Sequence, residues 1–283
     1  MKIYIISDHR ATNGAIEELK KLLEKKKLYT GFIKEADIVI AVSDREETFN
    51  RCLNAYRRNQ YIVHLCAGEV GCWTTCDDVY RHSITLMSDI QLCFNDFDRF
   101  TVETLCNCIG KSANAHVIGN FRLDNLDTDE SIIPDEEYDL VLYNPPSRLS
   151  DDSIRKEVSD ILKQLDKYTI WIEPNGDRGS DLIGTLVTHF IINKRKPLID
   201  WMYTLPRPQF LGLVKNCIRF LTNSSCQFTE AQFLMDKENI IQIGRRNSER
   251  NARYTDQSKV CNANDILDII LREWQKLHLS KKN

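Results

Sequence analysis

The sequence has no apolar run long enough to cross a membrane, no internal repeat at a solenoid period and no low-complexity tract. A membrane-spanning helix needs about 20 consecutive apolar residues, so we expect no membrane-embedded protein. The first ten residues, MKIYIISDHR, are too short for a signal peptide. These absences together predict a cytoplasmic protein.

An excess of basic charge is also missing. The formal net charge is −3 and the pI is about 6.1, which gives no electrostatic reason to expect nucleic acid or an anionic membrane as a partner. Hydrophobic residues make up 42% of the chain and charged residues 28%, as in ordinary globular proteins. A length of 283 residues favours two domains.

Cysteine, in contrast, is plentiful, with ten residues in the chain. They fall inside predicted strands and helices rather than in a loop-rich framework, so we expect reduced thiols. Cys66, Cys72 and Cys76 follow a C-x5-C-x3-C spacing, which matches no standard zinc pattern. We therefore predict no metal site and no cofactor.

Strand and helix patterns alternate along the chain and predict an α/β protein with parallel sheets. The acidic, aperiodic stretch Arg122–Glu137 is interpreted as a linker, after which the pattern restarts at a strand, Tyr138–Tyr143. We predict two similar α/β domains, residues 1–125 and 126–283, facing a central cleft. The last helix, from about Ala263 to Leu277, is a candidate to pack back on the first domain.

Ionisable residues follow the predicted strands of the first half. Ligands of open α/β sheets bind outside the carboxyl ends of strands, where this sequence places Arg10, Asp44, Arg45, Cys66, Glu69, Asp77, Asp78, Arg81 and His82. Asp77 and Asp78 open a helix, so a structural alternative is that they cap it and complement its dipole. The number of ionisable groups on one loop and one helical turn favours a functional site.

Small polar turns mark the second half. Asn223-Ser224-Ser225 leads into a predicted helix running through Glu230 to Met235, and hydroxyls with N–H groups at a helix start suit an anion. Arg246 and Arg250 can neutralise phosphates, and Glu230 can accept hydrogen bonds from vicinal sugar hydroxyls. Ser180 is a candidate N-cap at the end of the loop that begins at Pro174. The structural alternative is a capped helix with surface arginines.

These motifs occur in colinear order over most of the chain. They are Asp44-Arg45, His64 to Glu69 with Asp77-Asp78-x-x-Arg81-His82, Gly119-Asn120, Pro174-Asn175-x-Asp177-x-Gly179-Ser180, Asn223-Ser224-Ser225 with Glu230, and Gly244-x-Arg246-x-x-x-Arg250. In them the sequence resembles the UDP-N-acetylglucosamine 2-epimerases, specifically the hydrolysing type of the sialic-acid pathway, as a divergent member with a shortened N-terminal domain.

The resemblance implies two Rossmann-like domains in the GT-B arrangement, a homodimer or tetramer, and UDP bound mainly by the C-terminal half. It implies that Ser224, Ser225, Glu230 and Arg246 hold the UDP, with Arg45 near the phosphates. The reaction begins with loss of UDP and of the C2 proton to give a glycal, and water then adds to release N-acetylmannosamine. Carboxylates suit such proton transfer.

On this basis our predicted catalytic residues are Asp44, Asp77, Asp78, Cys66 and His82. The predicted substrate-binding residues are Arg10, Arg45, Glu69, Arg81, Asn144, Asn175, Ser180, Asn223, Ser224, Ser225, Glu230, Arg246 and Arg250. No metal ligand is predicted.

The sequence also departs from the family pattern. Cys66 stands where the His-x-Glu-Gly-Gly motif has a glutamate, and Asn144 stands where a His-Pro pair has its histidine. The leading hypothesis is a UDP-N-acetylglucosamine 2-epimerase. The two departures motivate a second, a nucleotide-sugar binding protein with impaired catalysis. A third is a GT-B glycosyltransferase or nucleotide-sugar hydrolase.

Overall fold

Two parallel sheets, each built from five strands, organise the chain. We describe a computed structural model of the protein over residues 1–7, 13–42, 44–71, 75–193, 198–247 and 260–280. The residues divide into two units. Of the described residues, the first unit contains those up to Val70, 77–125 and 260–280, and the second contains 126–247 together with a short segment that ends at Cys76.

The first sheet keeps the order of the chain, β1-β2-β3-β4-β5. Its strands are β1 (Ile3–Ile6), β2 (Ile38–Ala41), β3 (Tyr61–Leu65), β4 (Ile90–Cys93) and β5 (Ala115–Val117). Every residue of β2, β3 and β4 is buried. Such apolar runs are typical of parallel strands that are covered on both faces.

Amphipathic helices cover this sheet. They are α1 (Asn13–Lys25), α2 (Glu46–Arg57), α3 (Asp77–Met87), α4 (Asp96–Cys108) and α9 (Ala263–Ser280). Helix α9 contacts α1, and its Trp274 packs edge-on against Tyr61 of β3, with ring centroids 5.2 Å apart. The C-terminal helix is therefore part of the first unit. In the described part of the chain, no helix is long and apolar enough to cross a membrane.

The strands of the second sheet do not follow the order of the chain; they are arranged as β10-β9-β6-β7-β8. Its strands are β6 (Asp139–Leu142), β7 (Thr169–Ile172), β8 (Ile199–Met202), β9 (Arg219–Thr222) and β10 (Ile240–Gln242). Strand β6 pairs with both β7 and β9. The chain therefore grows first to one side of β6 and then to the other, which creates a topological switch point between β6 and β9.

Helices pack on both faces of the second sheet. They are α5 (Asp151–Gln164), α6 (Ser180–Asn193), α7 (Arg207–Asn216) and the short α8 (Cys226–Thr229). One apolar cluster joins Trp171 of β7 to Ile154 of α5 and Ile183 of α6. A second joins Phe220 of β9 to Leu213 of α7. The predicted fold class, α/β with two parallel Rossmann-like sheets, is confirmed.

Two details of the sequence prediction were wrong. The helix predicted to run through Glu230 to Met235 is not continuous, because α8 ends at Thr229 and a 3-10 turn, Ala231–Phe233, follows. The predicted linker begins too early, because Phe121–Leu123 forms a 3-10 turn of the first unit. Phe121 and Arg122 in this turn are buried, so a stretch that looks aperiodic in sequence is packed.

Candidate functional site

In the first unit, a tight turn after β3 places Glu69. Cys66 and Gly68 both have positive φ angles, 65° and 78°. A Cβ atom on Gly68 would lie 2.0 Å from the carbonyl oxygen of Asp98, so this position requires glycine for space as well as for backbone conformation. The turn brings the chain from the end of β3 to Glu69, which is 2% exposed.

Arg81 of α3 is the centre of a buried ionic cluster, which we call the Arg81 cluster: Arg81, Asp44, Glu69 and Asp78. The guanidinium donates hydrogen bonds to the carboxylates of Asp44 and Asp78. It also donates to the carbonyl oxygen of Glu69 at 3.1 Å, and the Glu69 carboxylate lies 3.6 Å away. Arg81 is 2% exposed. Three acidic residues from three segments thus meet at one buried cation.

The opposite charges in this cluster stabilise one another. Burial alone would lower the pKa of Arg81, but Asp44, Glu69 and Asp78 raise it well above its usual value. A permanently charged guanidinium stabilises the ionised form of the carboxylates around it. The cluster therefore places three carboxylates against one buried cation.

Asp77 and Arg45 form a looser pair beside the cluster. Asp77 opens α3, and its carboxylate lies 3.9 Å from the Arg45 guanidinium. Both side chains remain partly exposed, at 19% and 28%, as does Asp44 at 27%. Unlike Arg81 and Glu69, these groups keep surface that a ligand can reach.

Two histidines lie near the cluster. His64, in β3, is buried, and its Nδ1 is 3.0 Å from the Thr85 hydroxyl. Burial lowers the pKa of His64 to about 3, and the charge of Arg81 acts in the same direction. His64 is therefore neutral near pH 7. His82, the predicted catalytic histidine, lies next to Arg81 on α3 and is partly buried.

Cys66 occupies a protected position. Burial raises the pKa of its thiol to about 12, so it holds its proton near neutral pH. The Arg122 guanidinium lies 3.9 Å from its sulfur and 5.3 Å from the ring centroid of Phe94. Arg122 falls in the stretch interpreted as a linker, and its sequence context gives no signal of this role.

In the second unit, asparagine side chains link the ends of neighbouring strands. Asn223, after β9, accepts a hydrogen bond from the Asn144 N–H at 2.8 Å and donates to the Asn144 carbonyl at 2.7 Å. The Asn144 side-chain oxygen accepts from the N–H of Asn175, after β7, at 2.9 Å. Asn247, after β10, donates to the Asn223 carbonyl. We call these four residues the asparagine network.

Ser224 and Ser225 follow this network. The Ser224 hydroxyl accepts from the Cys226 N–H at 3.4 Å. Glu230 is 7% exposed; one of its carboxylate oxygens accepts from the Thr229 hydroxyl, and the other is 3.8 Å from the Arg207 guanidinium. Arg207, at the start of α7, was not among the predicted site residues.

The loop after β7 is contacted by two further predicted residues, Ser180 and Arg246. Ser180 is the first residue of α6, and its hydroxyl donates to the carbonyls of Asn175 and Asp177. Its predicted role as an N-cap was wrong, because it supports the loop rather than the helix. The Arg246 guanidinium lies 3.9 Å from the Asp177 carboxylate.

The structure thus groups the predicted residues within each unit. Asp44, Arg45, Cys66, Glu69, Asp77, Asp78, Arg81 and His82 belong to the first unit, and Asn144, Asn175, Ser180, Asn223, Ser224, Ser225, Glu230 and Arg246 to the second. Arg10 and Arg250 lie outside the described residues. Within the described ranges, no group of three or more His, Cys, Asp or Glu residues could hold a metal ion.

Comparison with known proteins identifies relatives. A family model described as UDP-N-acetylglucosamine 2-epimerase matches residues 8–282. The UDP-N,N'-diacetylbacillosamine 2-epimerase (hydrolyzing) of Legionella pneumophila is 24% identical over 228 residues, 76% of this chain and 58% of that protein. The GDP/UDP-N,N'-diacetylbacillosamine 2-epimerase (hydrolyzing) of Campylobacter jejuni is 25% identical over 233 residues, with the same two shares. The chain therefore spans well under two thirds of these relatives.

Solved structures share the fold. The UDP-GlcNAc 2-epimerase of Methanocaldococcus jannaschii, solved in complex with UDP-GlcNAc and UDP, is similar with a TM-score of 0.60 and 17% identity. The match covers 92% of this chain and 80% of that one. Identity this low supports the same arrangement of sheets and helices and leaves the chemistry to be argued from residues.

Proposed function

The chain belongs to the UDP-N-acetylglucosamine 2-epimerase family, and we propose that it eliminates UDP from a UDP-N-acetylhexosamine and inverts C2, releasing the free sugar. The observation that carries this proposal is the Arg81 cluster with its neighbour Asp77. Elimination next to C2 requires a carboxylate that is ionised and accessible. Asp44 and Asp77 combine partial exposure with a neighbouring guanidinium.

The proposed reaction has two stages. One carboxylate, Asp77 or Asp44, takes the proton from C2; the C–H electron pair forms a C1=C2 double bond, and the C1–O bond to UDP breaks. A proton then returns to C2 from the opposite face, and the oxygen of water bonds to C1. One water is consumed, and the products are UDP and an N-acetylhexosamine with inverted C2.

We assign UDP binding to the second unit. Ser224 and Ser225 offer hydroxyls at the end of β9, and Arg246 supplies positive charge for a phosphate. The buried Glu230 carboxylate suits two vicinal ribose hydroxyls. The names of the Legionella and Campylobacter relatives support the hydrolysing form of the reaction. That the substrate is a nucleotide sugar is also part of this proposal.

Product analysis in D2O tests the function. UDP-N-acetylglucosamine incubated with the protein should yield UDP and N-acetylmannosamine carrying deuterium at C2, as read by NMR. D77N and D44N should each reduce the rate by about 10²-fold or more, as expected for a group in proton transfer. UDP release without deuterium at C2 would contradict the epimerase assignment and favour a transferase or hydrolase.

A matched control separates chemistry from helix stability. Asp96 opens α4 as Asp77 opens α3, and it also pairs with an arginine, Arg99, at 2.9 Å. D96N should therefore remove a comparable surface charge and leave the rate unchanged. Equal losses in D96N and D77N would count against a catalytic role for Asp77.

One observation favours a second candidate function, UDP-sugar binding without turnover. The Cys66 thiol stands where the family pattern has a carboxylate, and burial raises its pKa to about 12. A protonated, buried thiol does not replace a general base. Calorimetry that detects UDP binding, together with no product in the D2O experiment, would establish this alternative.

A further inference from the structure

The asparagine network lies at the switch point of the second sheet. Strands β6 and β9 are neighbours, with Leu142 opposite Thr222, although about 80 residues separate them in sequence. Asn144 and Asn223 follow these strands by one or two residues. The crevice beside such a switch point is where open α/β sheets bind ligands. The network therefore lies where a ligand crevice is expected.

The hydrogen bonds of Asn223 use both polar atoms of its side chain. The oxygen accepts from the Asn144 N–H and the nitrogen donates to the Asn144 carbonyl, at 2.8 and 2.7 Å. The side chain thus continues the ladder of hydrogen bonds beyond the last strand pair. Asn223 is 1% exposed, and an unpaired buried amide would be costly. These bonds fix Asn223 to the β6 end, and burial leaves its side chain almost no surface with which to contact a ligand.

The network extends to both outer loops. On one side, the Asn144 side-chain oxygen holds the N–H of Asn175 at 2.9 Å, at the start of the loop that contains Asp177 and Ser180. On the other side, buried Asn247 donates to the Asn223 carbonyl. Four strand ends, those of β7, β6, β9 and β10, are thereby connected by amide hydrogen bonds.

We propose that Asn144, Asn223 and Asn247 are positioning residues. They set the spacing between the Ser224-Ser225 turn and the Asn175–Ser180 loop, so that both can hold one diphosphate. This inference rests on the proposed function for the identity of the ligand. It differs from our sequence prediction, in which Asn144 and Asn223 contact the substrate themselves.

Hydrogen exchange of the free protein tests the network without any ligand. N144L should speed amide exchange in the peptide covering 174–180, because the Asn175 N–H loses its acceptor. N223A should do the same, because Asn144 loses the two hydrogen bonds that hold its backbone in place. N144D keeps an acceptor oxygen for the Asn175 N–H, so amides of this peptide should exchange at the wild-type rate. If N144L and N223A leave the 174–180 peptide at the wild-type rate, the proposal is overturned.

UDP titration calorimetry tests the consequence for binding. N223A should raise the Kd for UDP by about tenfold, which corresponds to about 1.4 kcal/mol, because a turn that is no longer held in position loses about one hydrogen bond to the ligand. N216A is the matched control: Asn216 also donates a side-chain hydrogen bond to a carbonyl, that of Gly212, at 2.9 Å, and it lies at the end of α7. Asn216 is exposed, so N216A should cost less stability than N223A, and it should keep the wild-type Kd.

The outcomes separate this inference from the proposed function. Equal weakening of UDP binding in N216A and N223A would mean that general stability is responsible and would overturn the positioning role. If the wild-type protein binds no UDP, the proposed function fails, and the exchange rates of the 174–180 peptide still decide whether the network positions the loop.

Discussion

Arg81 donates a hydrogen bond to the carboxylate of Asp44, a residue 37 positions earlier in the chain. This bond joins the segment after β2 to the first turns of α3. Arg81 is almost fully buried, whereas Asp44 keeps about a quarter of its surface exposed. One end of the pair therefore belongs to the protein interior and the other is available to a ligand.

Replacing Arg81 by methionine should destabilise the first unit by about 3–5 kcal/mol, because it leaves buried carboxylates without their cation. Urea unfolding measures the loss. R99M is the control, since Arg99 pairs with Asp96 on an exposed surface, where such pairs contribute about 1 kcal/mol or less. A cost for R81M no larger than that for R99M would show that the Arg81 cluster does not stabilise the fold.

The G68A and G110A variants separate steric clash from backbone strain. Both glycines have positive φ, but a Cβ on Gly68 would meet the Asp98 carbonyl at 2.0 Å, whereas a Cβ on Gly110 meets nothing within 4 Å. G110A should cost about 1–2 kcal/mol from its left-handed conformation alone, and G68A should cost clearly more. Thermal unfolding of both variants checks this, and equal shifts in Tm would contradict the close packing at Gly68.

His64 makes stability depend on pH. Burial lowers its folded-state pKa to about 3, so the unfolded chain, with a pKa near 6.5, binds the extra proton first. The stabilising contribution is complete above about pH 6.5 and is lost as pH falls towards 3, with a slope of up to about 1.4 kcal/mol per pH unit.

Urea unfolding between pH 7.5 and 5 measures this slope. H64Q should reduce the slope, whereas H189Q should leave it unchanged, since His189 is exposed on α6. A slope that is the same in wild type and H64Q would mean that His64 is not buried in its neutral form.

Thiol labelling checks the environment of Cys66. Burial raises its pKa to about 12, so native protein should react with iodoacetamide at the exposed Cys76 and Cys108 and leave Cys66 unmodified. Mass spectrometry of native and urea-unfolded samples gives the comparison. Rapid labelling of Cys66 in the native protein would contradict this and would support a catalytic role for its thiolate.

Much of the fold follows from the sequence because strand and helix periodicities are strong. The family resemblance and the two parallel sheets are confirmed. Asp44 and Glu69 each follow the carboxyl end of a strand. The sequence therefore also places them at one edge of the first sheet, because β2 and β3 are neighbours. The roles assigned to these carboxylates stay predictions.

The buried cations could not be predicted from periodicity. Hydropathy alone would place the apolar Val79 of α3 in the core, yet Val79 is 59% exposed and Arg81 is buried. A pattern based on hydropathy treats arginine as solvent-facing, and only the three-dimensional meeting of Asp44, Glu69 and Asp78 reverses that. The asparagine network is hidden for a similar reason, since it depends on β6 lying beside β9.

The first unit cannot complete its core until helix α9 has been synthesised. Ile266, Leu267 and Ile270 of this helix are buried, but all of the second unit is translated before them. Apolar surface of the first unit therefore stays exposed to solvent while some 130 further residues are translated. We expect nascent chains stalled before Ala263 to be cleaved rapidly by protease in the first unit, and resistance equal to that of the full chain would contradict this.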